Sequence, residues 1–158
     1  KKKTVCRFRD YFAPANIKTD FSVENKYEAI ATMCKFAKDV KVVRDNSWLY
    51  EVVVAREDLV STAYGNGVAL LHPRHINHSK IKKPTILFGR ADKGVDFDAD
   101  DRQLVNLYFL LLLKDDKQHL FSLSYISRFL KVKENLDFLN KEKDANKIVE
   151  VLTKNFYK

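Results

Sequence analysis

Residues 104–113 constrain the fold of this chain more than any other stretch. They read Leu-Val-Asn-Leu-Tyr-Phe-Leu-Leu-Leu-Leu, interrupted only by Asn106. The run is too short to cross a bilayer, which takes about 20 apolar residues. It does not alternate, so it reads as a β-strand buried on both faces. Such a strand needs a covering layer above and below. Helical patterns lie before and after it in sequence. The expected fold class is therefore α/β: a three-layer α/β/α sandwich with a central mixed β-sheet.

The helical patterns are specific. Ser22 is placed to cap a helix in which Tyr27, Ile30, Ala31, Met33, Cys34 and Ala37 recur at helical spacing, ending near Val40. Asn46 or Ser47 can cap a second, with Leu49, Val52 and Val53 inward and Arg56 near its C-terminal end. Asp115 or Asp116 opens a third that runs to about Leu130, with Leu120, Leu123, Ile126 and Leu130 as its core face. Residues 132–139 form a short fourth helix. Asp144 caps a fifth that buries Ile148, Val149 and Leu152. Shorter strands are expected at 61–64, 67–71 and 84–90, with a turn at Lys93-Gly94. The tight turns between them make the sheet mixed rather than purely parallel.

A length of 158 residues suits one domain, 1–158, and 46% apolar residues exclude disorder. The chain starts on Lys1 rather than methionine, which leaves room for an upstream segment; its first residues lack the apolar core of a signal peptide. Cys6 and Cys34 form no Cys-x-x-Cys pair, which favours a reduced, cytoplasmic protein with buried thiols. The net charge of +8 favours phosphates or acidic partners, or is simply a solvated lysine-rich surface. No helix-turn-helix, zinc-finger or RNP-like motif supports direct nucleic-acid reading.

Chemistry concentrates in residues 61–74, Ser-Thr-Ala-Tyr-Gly-Asn-Gly-Val-Ala-Leu-Leu-His-Pro-Arg. Gly65, Asn66 and Gly67 make a turn, a short apolar run follows, and Pro73 holds His72 extended. This grammar presents one imidazole at the end of a buried strand, where it can act as nucleophile or proton carrier. A lone histidine after an apolar run is more often structural.

The run resembles the active-site signature Gly-x-Gly-x-Ala-x-Pro-His-(Gly/Ala/Ser) of type-2 enzyme IIA domains of the bacterial phosphotransferase system, the fructose, mannitol and nitrogen-regulatory domains. Arg56-Glu-Asp-Leu-Val-Ser-Thr62 resembles the family's Arg-Glu-x-Leu-x-Ser-Thr. His119-Leu-Phe-Ser-Leu-Ser-Tyr-Ile-Ser-Arg-Phe-Leu130 resembles its His-Leu-x-x-Leu-x-x-Leu-Ser-x-x-Leu. Gly94-Val-Asp-Phe97 and Asn25-Lys-Tyr-Glu-Ala-Ile30 also fit, so the likeness runs from about Phe12 to Leu152.

The resemblance implies that His72 accepts a phosphoryl group, with His119 beside it and Arg56 near the site. Arg74, Ser61 and Thr62 would support the phosphate. A guanidinium fork suits phosphate oxygens. His119, in the first turn of its helix, is expected to stay neutral there. No cofactor or metal is implied, and without a Walker A motif the chain should not use ATP directly. His72, His75 and His78 share no usable metal-binding face, and no cysteine lies near them.

Two positions depart from the family: Leu71 replaces its proline, and Pro73 replaces its small residue. Proline lacks an N–H, so one backbone donor is lost, and Arg74 is placed to compensate. The basic loop 74–83 is suited to steer an acidic or phosphorylated partner. The implied partners are the phosphocarrier protein HPr or its nitrogen-branch paralogue upstream. Downstream stands a IIB component or a regulatory target, with no membrane insertion. A regulatory role is the leading expectation. The alternatives are a sugar-specific fructose/mannitol-type IIA component, or a degenerate interaction module without efficient transfer.

Overall fold

The computed structural model describes residues 8–75 and 79–154. Two 3-10 turns, Phe8–Tyr11 and Pro14–Asn16, lead into β1 (Ile17–Phe21), α1 (Lys26–Asp39) and α2 (Asn46–Glu57). Then come β2 (Ala63–Gly65), β3 (Val68–Leu71), β4 (Thr85–Val95) and β5 (Val105–Leu112). Three helices close the described chain: α3 (Asp116–Leu130), α4 (Lys133–Lys141) and α5 (Ala145–Thr153).

The strands form one sheet in the order β1-β4-β5-β3-β2. β5 runs antiparallel to β4 and parallel to β3, so the sheet is mixed. The apolar run at 104–113 is its central strand. Tyr108, Leu110 and Leu112 pack on one face with Ile30, Met33, Leu49 and Val53 of α1 and α2. Leu107, Phe109 and Leu111 pack on the other with Ile126, Leu130, Leu139, Ile148 and Leu152 of α3, α4 and α5. Two apolar clusters on opposite faces make the α/β/α sandwich that the sequence pattern calls for.

Local chemistry moves several expected boundaries. Asn25, not Ser22, caps α1, its side chain accepting from the Glu28 N–H at 3.0 Å. The Ser22 hydroxyl instead donates to Asp92 across the sheet edge. Asp45 caps α2 by accepting from the N–H groups of Ser47 and Trp48; a carboxylate one residue earlier displaces Asn46 and Ser47 from that role. Asp115 caps α3 and Asp144 caps α5.

Lys93-Gly94 is not a turn. Both belong to β4, which continues to Val95 and pairs it with Val105. A Cβ on Gly94 would stand 2.6 Å from the Leu104 Cβ, so the bare glycine serves close strand approach. Leu120 is 65% exposed and is not part of the core face of α3. Ser122, Tyr125, Ile126, Phe129 and Leu130 turn inward instead. The Tyr125 hydroxyl donates to the Leu152 carbonyl at 2.7 Å, which sets the helix rotation against α5.

Candidate active site

Parallel β3 and β5 are neighbours, with Leu71 opposite Leu110, so their C-terminal ends open at the same sheet edge. In α/β sheets such an edge is where ligands bind. A cavity of about 240 Å³ lies there. His72, Pro73, Arg74 and His75 line it from the chain leaving β3. Arg56 comes from the last turn of α2, and Asp116 and His119 from the first turns of α3. Leu111 and Leu113 complete the apolar part of its wall.

The His72 ring is oriented by one short-range contact. Its Nδ1 lies 3.0 Å from the Leu70 carbonyl. A carbonyl only accepts, so Nδ1 carries the hydrogen and Nε2 of the neutral ring keeps its lone pair. Burial, then the neighbouring His119, push the His72 pKa down to about 4, with Arg56 adding to the effect and the Leu70 contact opposing it. The ring is therefore neutral at neutral pH. The His119 ring stands with its centroid 4.8 Å away, tilted by 60°. Burial also lowers the pKa of His119; Asp116 opposes the shift and Arg56 reinforces it.

Arg56 donates to the Val60 carbonyl at 2.7 Å, which anchors one nitrogen of a group with five N–H donors and leaves a charged fork at the cavity. The Arg74 backbone N–H is already committed to the Val52 carbonyl of α2 at 2.9 Å. With Pro73 lacking an N–H, the Arg74 side chain is what this segment presents to the cavity.

The structure thus brings His72, His119, Arg56 and Arg74 together. It does not bring Ser61 or Thr62 to the cavity. The Ser61 hydroxyl donates to the Phe97 carbonyl and accepts from the Ala63 N–H. The Thr62 hydroxyl and N–H both donate to Glu57. Thr62 ties the end of α2 to the chain entering β2, and Ser61 ties that chain to the segment after β4. Sequence reading passed over His75 and Asp116 as cavity walls. For Asp116 a signal was present, since it stands three residues before His119 and shares its helix face.

His78 and Cys6 lie outside the described residues. Cys34 is buried in the α1–sheet core, its thiol pushed up to about 12 by burial. Among the described residues no group of three or more His, Cys, Asp or Glu is arranged to hold a metal ion. Among them, too, no helix is long and apolar enough to cross a membrane.

Comparison with known proteins decides the family. Residues 10–155 match the family described as phosphoenolpyruvate-dependent sugar phosphotransferase system, EIIA 2. The chain belongs to this type-2 enzyme IIA family. As a IIA domain it is 33% identical over 145 residues to a nitrogen regulatory protein of Bradyrhizobium diazoefficiens, covering 90% of this chain and 92% of that one. It is 32% identical over 107 residues to a fructose-specific EIIA component of Haloferax volcanii, covering 66% and 68% of the two chains. Among solved structures, the nitrogen regulatory protein IIA-Ntr of Neisseria meningitidis superposes with a TM-score of 0.81 at 28% identity, over 92% of this chain and 98% of that one. The IIA mannitol of Escherichia coli, at 18% identity, shares the fold with a TM-score of 0.77 over 89% and 98%.

Proposed function

We propose that this IIA domain is a phosphoryl carrier with a regulatory role, and that Nε2 of His72 is the acceptor. The P–N bond of a donor phosphohistidine breaks, and the donor nitrogen recovers the electron pair. A new P–N bond forms at Nε2 as the phosphoryl group passes in line between the two rings. Arg56 and Arg74 offset charge on the equatorial oxygens, and the neutral His119 donates a hydrogen bond to one of them. No metal or nucleotide enters the exchange, because the donor is already activated. The reading places the protein in the cytoplasm. Its partners are the phosphocarrier HPr or its nitrogen-branch paralogue upstream, and a regulated protein or a IIB component downstream.

One observation carries the reading. The Nδ1–H of His72 is bound to the Leu70 carbonyl, so the other nitrogen is left bare beside a guanidinium and a second imidazole. The regulatory emphasis rests on the nitrogen regulatory relative that aligns over nine-tenths of both chains, whereas the fructose-specific relative aligns over about two-thirds.

The test is phosphoryl transfer from phosphoenolpyruvate through enzyme I and HPr. Acid-labile label is expected on the wild type and absent from His72→Ala. Label of equal intensity on both would remove His72 as the acceptor. A second reading has its own support in the backbone donors withheld at Pro73 and Arg74. On that reading the domain binds its partner without efficient transfer, and the wild type stays unlabelled while HPr is fully phosphorylated.

A further inference from the structure

Glu57 is 3% exposed, and among the described residues it makes no ion pair. A buried carboxylate without an ion pair is costly to a fold. Both of its carboxylate oxygens are nonetheless hydrogen-bonded. Both carboxylate oxygens lie 3.2 Å from the Thr62 N–H, and one also takes the Thr62 hydroxyl.

The chain of contacts continues from there. The Thr62 carbonyl accepts the Leu70 N–H at 3.0 Å. The Leu70 carbonyl in turn accepts the Nδ1–H of His72 at 3.0 Å. On its other side Glu57 adjoins Arg56, whose guanidinium donates to Val60, inside the loop that Glu57 closes onto Thr62.

We infer that Glu57 is a positioning residue for the site: through Thr62 and Leu70 it sets the tautomer of His72, and by closing the loop at 58–61 it sets the aim of Arg56. The inference rests on the phosphoryl-carrier reading for its purpose, though not for its geometry. Thr62 belongs to the same device. A glutamine at 57 keeps an oxygen where one carboxylate oxygen takes both Thr62 donors, but turns an N–H₂ group toward the Thr62 N–H where the second oxygen stood. A valine at 62 removes the hydroxyl, and a serine restores it.

The experiment is the ¹⁵N spectrum of the imidazoles in histidine-labelled protein at neutral pH, with His72 assigned by its loss in His72→Ala. Transfer rate from phospho-HPr is read in parallel. Wild type is expected to show protonated Nδ1 and bare Nε2. Glu57→Gln and Thr62→Val should mix the two tautomers and slow transfer about tenfold, since small misplacements of reacting groups carry large rate costs. Thr62→Ser should restore both readings.

A purely structural role would lower the melting temperature and leave the tautomer unmoved. Folded Glu57→Gln and Thr62→Val proteins that keep the wild-type spectrum and rate would overturn the inference. Should Glu57→Gln fail to fold, the valine and serine variants at 62 decide it. If the wild type accepts no label at all, phosphoryl transfer is refuted, while the tautomer comparison still decides whether Glu57 positions His72.

Discussion

Two arginines donate to backbone carbonyls at or just beyond helix ends in this molecule, with opposite consequences. Arg90, on β4, is 6% exposed and donates to the Leu139 and Glu142 carbonyls at the end of α4, both at 2.7 Å. Asp20 stands 3.9 Å from its other terminal nitrogen. Arg56, in the last turn of α2, holds the Val60 carbonyl and turns the remainder of its fork toward a cavity that three histidines also line. A guanidinium whose donors are met inside the fold is scaffold. One with donors left over, facing space, is equipped to receive an anion.

The contrast can be broken most forcefully at Arg90. Arg90→Met should destabilise the fold by about 3 kcal/mol, because charge-assisted bonds to two helix-end carbonyls are lost. Transfer per folded molecule should stay within about twofold, since no donor leaves the cavity. Urea melts with parallel transfer assays check both halves. A rate loss larger than the loss of folded protein would erase the distinction.

Arg56→Gln should do the reverse. Transfer should fall about 100-fold, in the range seen when a preorganised charge-stabilising donor is removed. The urea midpoint should barely move. Equal losses of rate and stability would make Arg56 scaffold as well.

Acid supplies a subtler test. The folded-state pKa of His72, about 4, lies below its ordinary value of 6.5. On acidification the unfolded chain binds the proton first. Stability from this residue is thus complete above pH 6.5 and is lost as pH falls toward 4, by about 2 kcal/mol after allowance for its partial exposure. His72→Asn should flatten that part of the stability-versus-pH curve. Arg56→Gln should raise the His72 pKa, since a neighbouring cation is removed; imidazole NMR titration reads both.

The smallest effect is expected at Leu120. It follows His119 but is 65% exposed, and Leu120→Ser should change stability by less than about 0.5 kcal/mol.

The contrast also shows which parts of the molecule were legible before the fold was known. His72 was legible because its signal is local: a glycine turn, an apolar strand, then a proline. The neutrality of His119 was expected from the positive end of its helix. Burial proves the largest cause, with Arg56 assisting. Ser61 and Thr62, which the resemblance set beside the phosphate, have their hydroxyls engaged elsewhere, since a hydroxyl near the site in sequence does not say which acceptor it meets. Their partners are Phe97, just after β4, and Glu57, at the end of α2. Leu120 misled for a related reason, because apolar spacing admits more than one helix rotation until Tyr125 finds Leu152.

The sequence by itself determined the five helices and four of the five strands of the described chain, the mixed three-layer sheet and the candidate nucleophile; β1 and the continuation of β4 through Lys93-Gly94 escaped it. Periodicity, caps and turn residues are short-range and act wherever the chain goes. The tertiary structure alone decided which arginine stays available, which nitrogen of His72 is bare, and why a buried Glu57 matters. Each of these is a question of who accepts whose hydrogen bond. Arg90 meets its acceptors some 50 residues away, Thr62 turns its carbonyl to Leu70, and the two histidines meet across the ends of adjacent strands. The Arg90 and histidine partners are set by long-range packing, which brings distant groups together only when the layers close, whereas Glu57, Thr62, Leu70 and His72 are near in sequence and meet through the turn and strands between them.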